Sequence, residues 1–79
     1  MTGNQIKAAR SLLGMTQAQL AEAAAVSIPT IKRAEGSGAV VASAAAVAAI
    51  RAALEAAGVE FISPNGGGAG VRLARPQQG

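Results

Sequence analysis

Lys32 and Arg33 stand together near the end of the run Ser27-Ile28-Pro29-Thr30-Ile31-Lys32-Arg33-Ala34-Glu35. With the hydroxyls of Ser27 and Thr30, they gather hydrogen-bond donors and positive charge into one short stretch. A guanidinium grips two acceptors at once, an ammonium is a compact charge, and a hydroxyl can donate to a phosphate oxygen. On a helix, such groups can hold a polyanion and read the edges of bases. An isolated Lys-Arg pair is more often a solvated helix face. Its weight here comes from what precedes it.

The rest of the composition removes other chemistries. The chain has no histidine and no cysteine, so the usual general base, thiolate nucleophile and zinc ligands are all missing. Four scattered carboxylates make an enzyme improbable, and neither a cofactor nor a metal site is expected. Seven Lys and Arg against four Asp and Glu give a net charge of +3, which suits an acidic partner without identifying one. The loop Asn65-Gly66-Gly67-Gly68-Ala69-Gly70 looks like a phosphate cradle, but no Lys and Ser or Thr follow it and no helix opens after it. It reads as a turn. Arg51 and Glu55 interrupt the longest apolar run, so no membrane span is expected. No signal peptide is visible, which makes the cytoplasm the expected compartment.

The elements that position these groups are written by start and stop signals. Thr2, with Gln5 three residues on, opens a first helix that Gly14 ends. Thr16 and Gln19 repeat the same box for a second helix. Ala25-Val26 makes a corner, and Ser27 caps a third helix with Pro29 in its first turn, where a missing N–H costs nothing. Gly36-Ser37-Gly38 breaks the chain, and an alanine-rich helix follows over about 43–57, stopped by Gly58. Val59 to Ile62 and Gly70 to Ala74 then read as a β-hairpin around a glycine-rich turn.

The chain has 79 residues and is 51% hydrophobic, but much of that fraction is alanine, with one Phe and no Trp or Tyr. The core therefore rests on few large side chains: Ile6, Leu12, Leu13, Leu20, Val26, Ile31, Val47, Ile50, Leu54, Val59, Phe61, Ile62, Val71 and Leu73. A core this thin favours a second subunit.

Leu13-Gly14-Met15-Thr16-Gln17-Ala18-Gln19-Leu20-Ala21, followed by Val26-Ser27-Ile28-Pro29-Thr30-Ile31 and Glu35, resembles the Cro/C1-type (Xre-like) helix-turn-helix DNA-binding domains, over roughly residues 4–57. The resemblance implies a mainly α fold: a lambda-repressor-like domain of four to five helices, here with a C-terminal β-hairpin. It implies a helix-turn-helix domain at 1–58, a hairpin at 59–75 serving dimerisation, and a tail at 76–79. In the family the third helix enters the major groove. Ile28, Pro29, Lys32 and Arg33 would then face the bases, with Thr30 on the flank and Gln17 and Ser27 on phosphates. Arg10 and Glu35 would form a structural salt bridge. The corner position usually held by glycine is Ala25, and the usually larger aliphatic before Glu35 is Ala34.

The expected function is a sequence-specific double-stranded DNA-binding transcriptional regulator, a homodimeric autoregulating repressor on a short inverted repeat. Phe61, Ile62, Val71 and Leu73 would serve dimerisation. The competing reading is an antitoxin or anti-activator whose main task is binding a partner protein, with the hairpin as the wrapping segment.

Overall fold

The computed structural model describes residues 1–36, 41–63 and 67–74. Four helices, α1 (Gly3–Leu13), α2 (Gln17–Ala24), α3 (Ile28–Glu35) and α4 (Ala44–Ala56), precede a hairpin of β1 (Val59–Ile62) and β2 (Gly70–Leu73). Residues 37 and 38 of the predicted break, the turn tip at 64–66 and the tail from 75 onward lie outside the described residues.

Each helix begins where its cap dictates. The Thr2 hydroxyl accepts from the Gln5 N–H at 3.2 Å while Gln5 Oε1 accepts from the Thr2 N–H at 2.7 Å. Thr16 and Gln19 make the same reciprocal pair, at 3.0 and 2.9 Å. Ser27 and Ser43 cap α3 and α4 through the N–H groups of Thr30 and Ala46. These boxes matter because α2 and α3, at eight residues each, are too short to persist alone. Their ends are set locally, and their survival depends on packing.

The corner between α2 and α3 turns on one residue. Ala25 is left-handed, with φ 56° and ψ 43°, and its N–H reaches back to the carbonyls of Ala21 and Glu22. That conformation crowds a Cβ against the backbone and favours glycine. Val26 follows half-buried against the core, and its N–H bonds the Ala21 carbonyl at 2.9 Å.

Ile6, Leu20, Ile31, Ile50 and Leu54 are the largest fully buried side chains, at least one from each helix. Ala9, Ala21 and Ala24 are buried among them, small enough for the helices to cross closely. Val59 adds a buried side chain from the hairpin. Four expected core residues are not in the core, and two of them, Val47 and Leu73, are half-buried outside it. Leu12 is 47% exposed, because it lies about 100° round α1 from Leu13, which packs inward. Ile62 is 37% exposed, because strand alternation puts it on the outer face with Glu60.

The hairpin pairs Val59 with Leu73, Glu60 with Arg72, Phe61 with Val71 and Ile62 with Gly70, antiparallel. Its inner face lies on the helices of its own domain, β1 against α4 and β2 against α1. A single side chain fastens it. Gln5 Nε2 donates to the Ile62 carbonyl at 3.2 Å and to the Gly70 carbonyl at 2.9 Å, so one buried amide caps α1 and bridges both strands. No helix among the described residues is long and apolar enough to cross a membrane.

The strain at Ala25 gives a direct test. Its side chain is exposed, so Ala25→Gly removes crowding without removing buried area. The substitution is expected to stabilise the fold by about 0.5–1 kcal/mol, raising Tm by a few degrees in a thermal melt.

Candidate nucleic-acid interface

The two faces of α3 differ sharply. Ile31 and Glu35 are buried, while Ser27, Ile28, Pro29, Lys32 and Arg33 are exposed and Thr30 is half-buried. Ile31 and the one carboxylate turn inward; the cations, Ser27 and the apolar Ile28 and Pro29 turn out. Ser27 Oγ also meets Thr30 Oγ1 at 2.8 Å, so the two hydroxyls at the start of α3 are held together.

The ion pairs sharpen this asymmetry. Arg10 pairs with Glu35, Arg51 with Glu55 and Arg72 with Glu60. Three of the four carboxylates are thereby matched inside the domain, each by an arginine. Among the described residues, Lys7, Lys32 and Arg33 remain as side-chain cations without an ion-pair partner, and two of the three lie on the outward face of α3. Among the described residues, two of the three cations left over by this pairing thus stand where the short helix is exposed.

Beneath that face, Glu35 organises three elements. Its Oε2 accepts from Arg10 Nε at 2.5 Å and its Oε1 from Arg10 Nη2 at 3.0 Å, a two-pronged pairing. Gln17 Nε2, at the start of α2, donates to the same Oε1 at 3.1 Å. Arg10 Nη1 reaches the Met15 carbonyl at 3.1 Å and so holds the connection from α1 to α2. Glu35 raises the Arg10 guanidinium above its ordinary value, first through the hydrogen bond and then through charge, against the opposing pull of burial. A raised pKa contributes stability that is complete below the ordinary arginine range and fades only above it. Arg10 therefore stays charged throughout the usable pH range.

The backbone of Glu35 is held as closely as its side chain. A Cβ built on Gly3 would lie 2.5 Å from the Glu35 carbonyl oxygen and 3.0 Å from that of Ala34. The first turn of α1 therefore sits directly on the last carbonyls of α3. Helix ends of opposite partial charge meet there, and only glycine lets them approach so far.

Two of these features were not legible in the sequence. The residue order at Gly3 shows a glycine just after a cap, with nothing to say what it touches. The bond from Gln17 to Glu35 joins the start of one helix to the end of the next, where no periodicity applies. Gln5 signalled its cap by spacing, but its grip on the hairpin involves residues 57 and 65 positions away.

The four residues expected to serve dimerisation divide between two faces. Phe61 and Val71 are half-buried against their own core, Leu73 is half-buried on the same face, and Ile62 is exposed. The Arg51 guanidinium sits 5.7 Å from the centre of the Phe61 ring, close enough for a cation–π contact that further occupies it. Among the described residues, no cluster of His, Cys, Asp and Glu could hold a metal ion.

Residues 3–61 match the profile of a family described as a helix-turn-helix domain. No individual curated protein matches the chain.

The contact at Gly3 carries its own prediction. Gly3→Ala forces a methyl group into the backbone of α3, and overpacking of this kind costs about 1–3 kcal/mol. Chemical denaturation is expected to show that loss, whereas Ala at the open position Gly67, where nothing lies within 4 Å of a built Cβ, is expected to be near neutral.

Proposed function

The chain belongs to the helix-turn-helix domain family found in Xre/Cro-like regulators, and from that premise we propose that it is a sequence-specific regulator of transcription that lays α3 in the major groove of double-stranded DNA. The observation that carries this reading is the charge distribution on α3. Its carboxylate is buried and neutralised by Arg10, while Lys32 and Arg33 stand exposed and without ion-pair partners among the described residues.

Roles follow from the chemistry of each side chain. Arg33 bonds guanine O6 and N7 with both prongs, and Lys32 serves a guanine or a phosphate. Ile28 and Pro29 offer apolar surface to thymine methyl groups. Ser27 and Thr30 lie at the N-terminal end of α3, where their hydroxyls and the Ile28 N–H meet a phosphate. Gln17 donates to the phosphate on the near side of α2. The outer face of α3 carries two cations without ion-pair partners among the described residues, and its inner face is committed to the core through Ile31 and Glu35.

The size of α3 supports a homodimer on an inverted repeat. Eight residues at 1.5 Å each make a rod of about 12 Å, which spans roughly four base pairs. So short a half-site occurs too often by chance to specify one address. Two copies related by a twofold axis double the site and set the recognition helices one DNA turn, about 34 Å, apart. The inner face of the hairpin is occupied, so its contribution to such a dimer comes from Ile62 and the strand edges, with Phe61, Val71 and Leu73 supporting from behind. A dimer seated across a promoter represses by exclusion, in the cytoplasm where its DNA lies, and needs no further activity to do so.

Selection of binding sites from random duplexes, run with the native chain and with Arg33→Ala, tests the reading. The native chain is expected to enrich an inverted repeat. Arg33→Ala is expected to relax one base position in each half-site, a loss of about 1–3 kcal/mol of discrimination there. A uniform loss across sequences makes Arg33 a phosphate contact, and no enrichment at all removes the proposal. Light scattering after gel filtration is expected to show a dimer at micromolar concentration.

A further inference from the structure

We propose that Glu35 is a positioning residue for DNA: it turns the Gln17 amide so that the NH2 end, and not the carbonyl end, is presented to a backbone phosphate. The proposal rests on the DNA-binding reading above and assigns Glu35 a part in it besides joining α1 to α3.

A primary amide is nearly symmetric in shape and opposite in chemistry at its two ends. One end has two donors, the other only acceptor lone pairs, and rotation by half a turn exchanges them. Against a phosphate, the first orientation attracts and the second repels. An unrestrained glutamine at the start of α2 would sample both and lose part of its binding energy to that freedom.

Glu35 removes the ambiguity. A carboxylate can only accept, so the Gln17 group that faces it across 3.1 Å must be the NH2. That bond uses one of the two N–H groups. Among the described residues the other N–H has no protein partner, and Gln17 is the first residue of α2, beside backbone N–H groups that no carbonyl of the helix reaches. The free N–H and those backbone donors together make a place for an oxyanion.

Arg10 makes the arrangement workable. An uncompensated carboxylate one hydrogen bond behind the contact would repel the phosphate that Gln17 is to hold. The two-pronged pairing at 2.5 and 3.0 Å neutralises it while leaving Oε1 able to accept from Gln17 as well. Glu35 is itself 5% exposed, so the orientation it imposes is screened from water. A residue of the first helix thus sets the direction in which a residue of the second meets DNA, through a residue of the third.

The test is a mutant cycle on the full chain, read by fluorescence anisotropy with mixed-sequence duplex DNA over a range of salt concentrations. Gln17→Ala is made in the native chain and in Arg10→Met/Glu35→Leu, an apolar replacement of the pair of similar volume. In the native chain Gln17→Ala is expected to weaken binding about tenfold and to lower the log–log salt slope by about 0.9, the signature of one lost phosphate contact. In the apolar background the same substitution is expected to change affinity by less than about twofold. Equal penalties in the two backgrounds, or no penalty in the native chain, overturn the proposal while leaving DNA binding intact. A native chain that binds no DNA overturns the reading beneath it instead. If the apolar pair does not fold by circular dichroism, Glu35→Gln takes its place. There the new amide accepts either end of Gln17, and the Gln17→Ala penalty is expected to fall to about threefold; an unchanged tenfold penalty overturns the proposal.

Discussion

An anion almost closed off from water, the carboxylate of Glu35, sets the terms on which the helical part of this protein can exist. Removing a carboxylate from solvent costs several kcal/mol unless its lone pairs are met by donors. Those donors come from two other helices: Arg10 on α1 supplies two and Gln17 on α2 a third. The native arrangement of α1, α2 and α3 brings all three donors to the one carboxylate. Such a pair adds little net stability compared with a well-packed apolar core, and its contribution is better understood as choosing one packing among several. This domain has particular need of that choice. Its core is rich in alanine, and alanines slide past one another more easily than larger side chains interlock.

The same constraint explains how α3 is made available. The helix has eight residues and two faces to satisfy. Burying Ile31 and Glu35 on one side consumes all that holds it in place and leaves Lys32 and Arg33 no counter-charge within the described domain. Local capping by Ser27 and the left-handed corner at Ala25 fix where the helix starts, so the outward residues are presented at a defined angle. Sequence chemistry, packing and exposure agree here.

Much of this was legible residue by residue. Thr2 with Gln5 and Thr16 with Gln19 announce two helix starts because capping depends on neighbours three positions apart, and Ser27 with Pro29 announces a third because a proline in the first turn gives up no helical bond. Ile6, Leu20, Ile31, Ile50 and Leu54 announce inward stripes because burial follows the helical period. Leu12 misled because its apolar character suggested burial, although the spacing of Ile6, Ala9 and Leu13 puts Leu13 and not Leu12 on the inward face. Ile62 misled because its strand is only four residues long, so alternation decides its face more strongly than its apolar character. Gly3 and the bond from Gln17 to Glu35 were invisible for a different reason: they depend on where helix ends meet in space, which no short-range pattern encodes. The grooves between elements are decided by the whole fold, and so is the chemistry that sits in them.

Gln5 ties together the two extremities of the described chain. The amide that completes the first cap also grips both strands of the hairpin, so the opening turn of α1 and the turn end of the hairpin, where Ile62 pairs with Gly70, cannot loosen independently. Loosening at either place breaks bonds at the other, so the first helix and the hairpin are closed on each other although the backbone between them is long. A lesion at the start of β2 is therefore felt first at Gln5, and through its cap in the opening turn of α1.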